Sequence, residues 1–190
     1  MSYYKKIVGE RIYLSPRGAS EEENELFTKW LNDAEVTDYL AVSARVYNPL
    51  SEKDYLEKSA MSRGDRAFNI VELETDRLIG SVALNDIAWS DRTAELGIFI
   101  GEEDFRSHGY GTEAIRLILE YGFKYLDLHS VRLKVIAENE RAHKCYLKCG
   151  FKDTGRSREE LFVGGKYHDV ISMDILEGEF EGGEMRNKVL

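Results

Sequence analysis

A glycine-bearing loop between a strand-like run and a helix-like run most constrains the fold of this 190-residue chain. The loop, 105–112, follows the apolar run 94–100 and precedes the periodic run 112–126. At a helix start, unpaired backbone N–H groups point outward and the helix dipole favours negative charge. Glycine permits a tight turn and close approach of a phosphate to the backbone. Because Arg106 adds a permanent cation, the segment predicts a site for a phosphorylated ligand.

Two common phosphate-binding motifs do not describe this loop. A P-loop requires a lysine directly after its second glycine, and neither Gly109 nor Gly111 is followed by one. The dinucleotide motif G-x-G-x-x-G would have Ala114 at its third glycine, which is a tolerated exchange. That motif, however, belongs to repeated βαβ units, whereas the runs before this loop look like antiparallel strands. Taken alone, the loop is described equally well as a solvent-exposed turn.

A second strand and helix follow later in the chain. The run 131–137 predicts a buried strand, and Asn139 is a favourable helix N-cap. Gly150 stands where the residue after a helix commonly adopts a left-handed conformation. Between them, four residues that can face a core fall at helical spacing: Ala142, Cys145, Tyr146 and Cys149.

The two units together resemble a known family. Arg-x-x-Gly-x-Gly at 106–111 and Asn-x-x-Ala-x-x-x-Tyr-x-x-x-Gly-Phe at 139–151 are similar to motifs of the GNAT superfamily of acetyl-CoA-dependent N-acetyltransferases. The segment 30–37, Trp-Leu-Asn-Asp-Ala-Glu-Val-Thr, resembles more narrowly the RimJ/RimL-like subgroup, the ribosomal-protein N-acetyltransferase type. The resemblance runs from Glu10 to Leu176.

This resemblance implies an α+β (mixed α/β) fold. It would have a central, mostly antiparallel twisted sheet of about seven strands flanked by about four helices. We expect one N-acetyltransferase domain over 1–176, followed by an acidic, glycine-containing tail, 177–190, that has little to bury and is disordered.

Local signals agree with a mixed domain. The run 7–14 alternates and predicts a first strand. Ser20 with Glu23 forms a capping-box pattern before a helix, and Ser51 is predicted to open a further one. Gly164-Gly165 predicts a hairpin turn.

The resemblance also implies roles for individual positions. The backbone of Ile98, Phe99 and Ile100 would pair with the pantetheine arm and polarise the acetyl carbonyl. Asn139 and Ala142 would contact the cofactor, and Tyr146 would face its sulfur as the general acid. The pyrophosphate would be held by the backbone of Arg106, Ser107, His108, Gly109, Tyr110, Gly111 and Thr112. Ser107 and His108 depart from many relatives, which have Gly followed by Lys or Arg there.

Two side chains, Tyr146 and Glu95, are expected to carry the proton transfers. The phenol of Tyr146 is a neutral donor at pH 7, since the ordinary pKa of tyrosine is about 10. The alternative is a core aromatic residue. Glu95 is the candidate general base, because partial burial on its strand would make its carboxylate more basic. Its alternative is a surface residue paired with Arg92 or a lysine. Asp86 and Glu72 are further carboxylates that could act through water.

Composition argues against a membrane-spanning or secreted protein and against a disulfide or metal site. No apolar run reaches the length of a membrane span, and the N-terminus lacks the apolar segment of a signal peptide. The cysteines, Cys145 and Cys149, lie one helical turn apart, so we expect reduced structural thiols and a cytoplasmic protein. A Cys-x-x-x-Cys metal site would lack a partnering pair, and we expect no metal.

The net charge of the chain indicates which kinds of partner it binds. A net charge of −9 argues against a nucleic-acid partner and mildly favours a cationic acceptor. We therefore expect an enzyme that moves an acetyl group from acetyl-CoA to a primary amine by direct attack in a ternary complex. A protein N-terminus and a small amine, such as a polyamine, an amino sugar or an aminoglycoside, both remain open as acceptors. The rival is a non-catalytic acyl-CoA-binding or regulatory domain, and the protein could be a monomer or a homodimer.

Overall fold

The computed structural model describes residues 3–40, 44–62, 64–183 and 185–186. Within these residues, eight strands form one sheet in the order β1-β2-β3-β4-β5-β6-β8-β7. The strands are β1 (Ile7–Val8), β2 (Ile12–Pro16), β3 (Arg66–Glu72), β4 (Leu78–Ala88), β5 (Thr93–Ile100), β6 (Ser130–Ile136), β7 (Lys152–Val163) and β8 (Lys166–Leu176). The helices are α1 (Glu21–Leu31), α2 (Ala34–Thr37), α3 (Pro49–Met61), α4 (Tyr110–Tyr125) and α5 (Glu140–Lys148).

The predicted mixed fold with a mostly antiparallel sheet is confirmed. Every strand pair is antiparallel except β5 with β6, which run parallel and are joined through α4. Short turns join the antiparallel hairpins β1–β2, β3–β4, β4–β5 and β7–β8, whereas the parallel pair needs a crossover helix. The hairpin turn is confirmed at Gly164 and Gly165, whose φ angles are 60° and 82°.

The predicted first strand, 7–14, is wrong as a single element. The chain turns within it, and the N–H of Gly9 donates to the carbonyl of Ile12 at 2.9 Å. The buried carboxylate of Glu113 on α4 accepts the backbone N–H groups of Glu10, Arg11 and Ile12 at 2.7, 2.9 and 3.3 Å. A carboxylate from a distant helix thus stabilises the turn, and β1 and β2 form a hairpin instead.

Two helix starts can be compared with their predictions. The capping box of Ser20 and Glu23 is present at the start of α1. The next long helix begins earlier than predicted, because Asn48 is its N-cap and Ser51 occupies the third helical position. In the described part of the chain, no helix is long and apolar enough to cross a bilayer.

The core lies in two parts on opposite faces of the sheet. The larger part packs α4 against the strands, with Ile115, Ile118 and Leu119 all at most 1% exposed. The smaller part packs α1 and α3 around Phe27, Trp30 and Leu56. Both parts of the core contact residues at the end of β5, and the site lies there.

The first residues of the predicted loose tail contact α4. The ring of Phe180 packs on Phe123 with centroids 5.5 Å apart. The N–H groups of Gly183 and Met185 both donate to Oε2 of Glu120 at 3.1 Å. This part of the tail is therefore attached to the domain, and residues 184 and 187–190 lie outside the described residues.

Candidate active site

The parallel pair β5–β6 separates partway along its length. Pairing is recorded from Thr93 with Ser130 to Glu95 with Arg132. Beyond Glu95, a cavity of about 680 Å³ is lined by 96–100 of β5 on one side and 134–136 of β6 on the other. Backbone groups of β5 that would otherwise bond to β6 therefore face the cavity, as the predicted role of Ile98, Phe99 and Ile100 requires.

The glycine loop forms one end of this cavity. Gly109, the residue before α4, has a φ of 88°, and no side chain caps this helix. The first hydrogen bond of the helix runs from the Glu113 N–H to the Gly109 carbonyl at 3.1 Å. The N–H groups of Tyr110, Gly111 and Thr112 precede that bond and have no acceptor within the helix. Such a helix start is suited to an anion, as predicted.

The two glycines of the loop differ in what they require. Gly109 needs its positive φ, and a Cβ there would come within 3.0 Å of the Arg11 guanidinium. A Cβ at Gly111 would have Ile100 Cγ1 as its nearest contact at 3.9 Å, which is ordinary packing. The turn therefore demands glycine at the first position only. Ser107 also has a positive φ, 63°, and His108 is exposed.

Arg106 does not supply the cation that its position suggested. Its guanidinium donates to the carbonyl oxygens of Ile100 and Gly101 at 3.2 and 2.8 Å, and Glu35 on α2 lies 3.4 Å away. Its backbone N–H donates to the Glu103 carbonyl at 2.9 Å. The side chain, 11% exposed, thus joins the end of β5 to α2.

The cation beside the loop is Arg11, which sequence analysis missed. Its Nη1 donates to the His108 carbonyl at 2.8 Å, its Nε bonds Glu113 at 3.1 Å, and its guanidinium lies 4.6 Å from the Tyr110 ring centroid. These contacts position the loop. Arg11 is remote in sequence, so no local pattern could have indicated it.

The helix α5 places the predicted Asn139, Ala142 and Tyr146 on the cavity wall. Oδ1 of Asn139 accepts the Ala142 N–H at 3.1 Å, so the asparagine is the N-cap and keeps its amide NH₂ for a ligand. The predicted helix end is confirmed by Gly150, with a φ of 98°.

Tyr146 is oriented by the residue that follows this turn. The ring of Phe151 packs against it with centroids 5.9 Å apart and planes inclined by 64°. Burial raises the pKa of Tyr146 above its ordinary value, and the neighbouring thiols Cys145 and Cys149 raise it further. The phenol is therefore protonated at neutral pH and can donate a proton.

A thiol shares this wall. Sγ of Cys145 lies 3.2 Å from Oγ1 of Thr112, in the first turn of α4. The pKa of Cys145 is lowered to about 6, mainly by a hydrogen bond from Cys149 and further by Thr112, against the opposing effect of burial. Cys149 is 3% exposed. Both cysteines are free thiols, as predicted, but only Cys145 lines the cavity.

Glu95 lines the cavity near the point where β5 and β6 separate. Its carboxylate is 41% exposed and lies 3.9 Å from Nε of Arg132. Arg132, rather than Arg92 or a lysine, is thus its ion-pair partner. The other carboxylates proposed to act through water are elsewhere, since the cavity lining includes neither Asp86 nor Glu72, and Glu72 bonds Thr75 at 2.7 Å.

An acidic wall, formed by Glu35 and Glu160 with apolar neighbours, lines the same cavity as Glu95. Carboxylates come from Glu35 on α2 and Glu160 on β7, the latter 2.6 Å from Lys134. Apolar contacts come from side chains of the same two regions: Val36, Tyr39, Leu40 and Leu161. Such a lining can receive a cation that also carries an aliphatic chain.

Comparison with known families agrees with this geometry. The family described as acetyltransferase (GNAT) domain matches residues 11–152. Spermidine N(1)-acetyltransferase of Vibrio cholerae serotype O1 is 36% identical over 136 residues, which cover 70% of this chain and 78% of that protein. The putative ribosomal N-acetyltransferase YdaF of Bacillus subtilis is 32% identical over 105 residues, 55% of this chain and 57% of that one.

The fold has a solved counterpart. The crystal structure of spermidine N-acetyltransferase from Vibrio cholerae in complex with CoA and spermine superposes with a TM-score of 0.78 at 29% identity. The match covers 89% of this chain and 97% of the other.

Proposed function

Because the chain belongs to the acetyltransferase (GNAT) domain family and is an acetyl-CoA-dependent N-acetyltransferase, we propose that its acceptor is a primary amine of a polyamine. The observation that carries the proposal is that Glu35, Glu95 and Glu160 line the cavity together with apolar side chains. A polyamine is a flexible aliphatic chain with several positive charges, so it needs both kinds of contact. The net charge of −9 favours its approach. The spermidine acetyltransferase relatives support the same acceptor class.

The cofactor end of the cavity has the groups that CoA requires. We assign the diphosphate to the N–H groups that open α4 and the pantetheine arm to the free backbone of 98–100, beside the Asn139 amide. The uncapped helix start and the unpaired part of β5 support this assignment. The backbone at Ile98–Ile100 would also polarise the acetyl carbonyl.

We propose direct attack of the amine on the thioester in a ternary complex. An ammonium group must first lose a proton, and Glu95 is the proposed base, because it lines the cavity at the point where β5 and β6 separate. Tyr146 is the proposed acid that protonates the departing sulfur. Its raised pKa keeps the proton available, and its packing on Phe151 holds the phenol in place.

A peptide N-terminus is the second candidate acceptor. The segment 30–37 resembles the RimJ/RimL-like subgroup, and the match to the putative ribosomal N-acetyltransferase favours it. A cationic peptide would also be attracted to the acidic wall. Its backbone, however, would have to satisfy polar groups against the apolar side chains of α2, which a polyamine avoids.

An acceptor competition distinguishes the two. The purified protein is incubated with acetyl-CoA, spermidine and spermine, and in parallel with peptides that have free N-termini, and acetylated products are identified by mass spectrometry. We expect acetylated polyamine and a release of CoA that depends on it. Acetylation of peptides alone would refute the polyamine assignment, and no transfer to any amine would favour the non-catalytic domain.

Variants of the acidic wall refine the test. Glu35→Gln and Glu160→Gln should raise KM for spermidine by about tenfold each, since each variant removes a carboxylate that would pair with an ammonium group of the acceptor, with little change in KM for acetyl-CoA. Glu140→Gln is the matched control, because its carboxylate is 76% exposed on α5 and lies 2.8 Å from Lys144. Equal effects of all three variants would exclude a specific acceptor wall.

A further inference from the structure

The strand β7 contains a bulge close to its hairpin turn. Its pairing with β8 passes from Ser157 opposite Val170 to Leu161 opposite His168. Three residues of β7 between these pairs thus face the single residue Asp169, so β7 has two residues more than a regular ladder would hold there. A bulge of this kind bends its strand and can redirect a side chain toward a neighbouring site.

The bulge brings a charged and an apolar side chain to the cavity. Consecutive side chains of a regular strand point to opposite faces of the sheet. The bulge removes this restriction, and both Glu160 and Leu161 line the cavity. The carboxylate of Glu160 reaches across β8 to Lys134 on β6, with 2.6 Å between Nζ and Oε1. A carboxylate offers about four acceptor sites, so Glu160 can bind Lys134 and an ammonium group of the acceptor together.

The side chain of Asp169 on β8 stabilises this bulge. Its Oδ1 accepts the Glu159 N–H at 2.9 Å, and its Oδ2 accepts Nε of Arg156 at 2.8 Å. These two donors hold the pKa of the Asp169 carboxyl below its ordinary value, so it is ionised at neutral pH. Glu159 has a φ of 51°, in a region that residues other than glycine rarely adopt. The bond from its N–H therefore stabilises an unfavourable conformation in the middle of the bulge.

We propose that Asp169 is a positioning residue for the acceptor amine, because it holds the bulge that carries Glu160 and Leu161 to the cavity. The inference rests on the proposed polyamine acceptor and adds a residue that is not among the described residues of the cavity lining. Binding of the acceptor should depend on Asp169. Binding of acetyl-CoA, which is assigned to β5 and the start of α4, should not.

Steady-state kinetics with spermidine and acetyl-CoA test the proposal on the full chain. Asp169→Ala removes both hydrogen bonds and should raise KM for spermidine by about tenfold, with kcat and KM for acetyl-CoA within about twofold of wild type. Asp169→Asn keeps a side-chain oxygen for the Glu159 N–H, so its KM for spermidine should stay within about threefold of wild type. Glu159→Gln is the matched control, because it removes an exposed carboxylate beside Glu160 and keeps that N–H. It should leave all three constants unchanged.

A double variant and a deletion make the test specific to the bulge. If Asp169 acts through Glu160, KM for spermidine in Asp169→Ala/Glu160→Gln should stay near that of Glu160→Gln, whereas independent effects would multiply to about 100-fold. Deletion of Arg158 and Glu159 leaves a regular ladder that turns Glu160 away from the cavity face. It should raise KM for spermidine by about tenfold, and it tests the bulge even where Asp169→Ala does not fold. Circular dichroism establishes which variants fold.

The outcomes separate this inference from the proposed function. An unchanged KM for spermidine in folded Asp169→Ala or in the deletion, beside a raised KM in Glu160→Gln, would refute the positioning role alone. Equal rises in KM for spermidine and acetyl-CoA, or multiplied effects in the double variant, would also overturn it, because Asp169 would then act on the whole site. A wild-type protein that acetylates no polyamine, or a wild-type KM in Glu160→Gln, would refute the acceptor assignment and the positioning role together.

Discussion

The indole N–H of Trp30 donates to Oε1 of Glu102 at 2.9 Å, which joins α1 to the residues that follow β5. Both side chains are buried, and Arg77 bonds the second oxygen of the same carboxylate. Gly101 packs directly on the Trp30 ring, where a Cβ would come within 2.1 Å of it. The end of β5, and with it the cavity wall, is therefore positioned by α1.

Replacing Trp30 with phenylalanine should destabilise the protein. Trp30→Phe removes a donor from a buried carboxylate and leaves a cavity, so we expect a loss of about 2 to 4 kcal/mol in the free energy of unfolding, measured by urea denaturation. Lys29→Ala is the control, because that ammonium is 72% exposed and 4.0 Å from the same carboxylate. The control should change stability by less than about 0.5 kcal/mol. Similar losses in both would contradict a role for the indole bond.

The two loop glycines should respond differently to alanine. Gly109→Ala forces a side chain into a left-handed conformation and should cost about 1 to 2 kcal/mol, with a higher KM for acetyl-CoA. Gly111→Ala should fold with unchanged or slightly higher stability, because its Cβ has room and alanine favours helices. Thermal unfolding and acetyl-CoA kinetics are measured on both. A greater loss of stability in Gly111→Ala than in Gly109→Ala would show that the loop adopts a different conformation.

Removal of the Tyr146 hydroxyl should affect the chemical step. Tyr146→Phe keeps the ring packing on Phe151, so kcat should fall by about 100-fold or more while the Kd for acetyl-CoA stays within a few-fold. Tyr4→Phe, at a position 78% exposed, is the control and should match wild type. Full activity in Tyr146→Phe would exclude the general-acid role and leave the enzyme class unaffected.

A buried carboxylate outside the site should make stability depend on pH. Glu52 on α3 is 2% exposed, and its Oε1 has no hydrogen-bond partner. Burial raises its pKa, with Arg17 opposing the shift. The folded protein thus holds this proton more tightly than the unfolded chain, and stability is lost as pH rises through the folded-state pKa.

Replacing Glu52 with glutamine tests that sign. Glu52→Gln should raise the thermal midpoint at pH 7, where the wild-type group is ionised in the unfolded chain, and the gain should vanish near pH 4. Glu57→Gln, exposed on the same helix, should show no such pH dependence. A gain that is equal at both pH values would indicate that ionisation is not the cause.

Local sequence signals determined much of the architecture. The glycine loop before α4, the Asn139 cap and the Gly150 turn each depend on residues close together in the chain, so pattern and conformational preference were enough to locate them. The combined motifs also indicated the family, while the choice between polyamine and peptide acceptors stays a prediction. Acceptor-side residues come from separate elements without a shared local pattern.

Only the tertiary structure determined how these elements are arranged around the cavity. The separation of β5 from β6 after Glu95 depends on the pairing of distant strands, which periodicity does not encode. The same is true of Arg106, which turns toward β5 and α2, and of Arg11, which reaches the loop from the turn between β1 and β2. Cys145 was expected to be a structural thiol, and only the packing of α5 on α4 placed it beside Thr112 in the cavity. Contacts between remote segments are set by how the helices and sheet pack together, so the sequence neighbours of these residues could not reveal them.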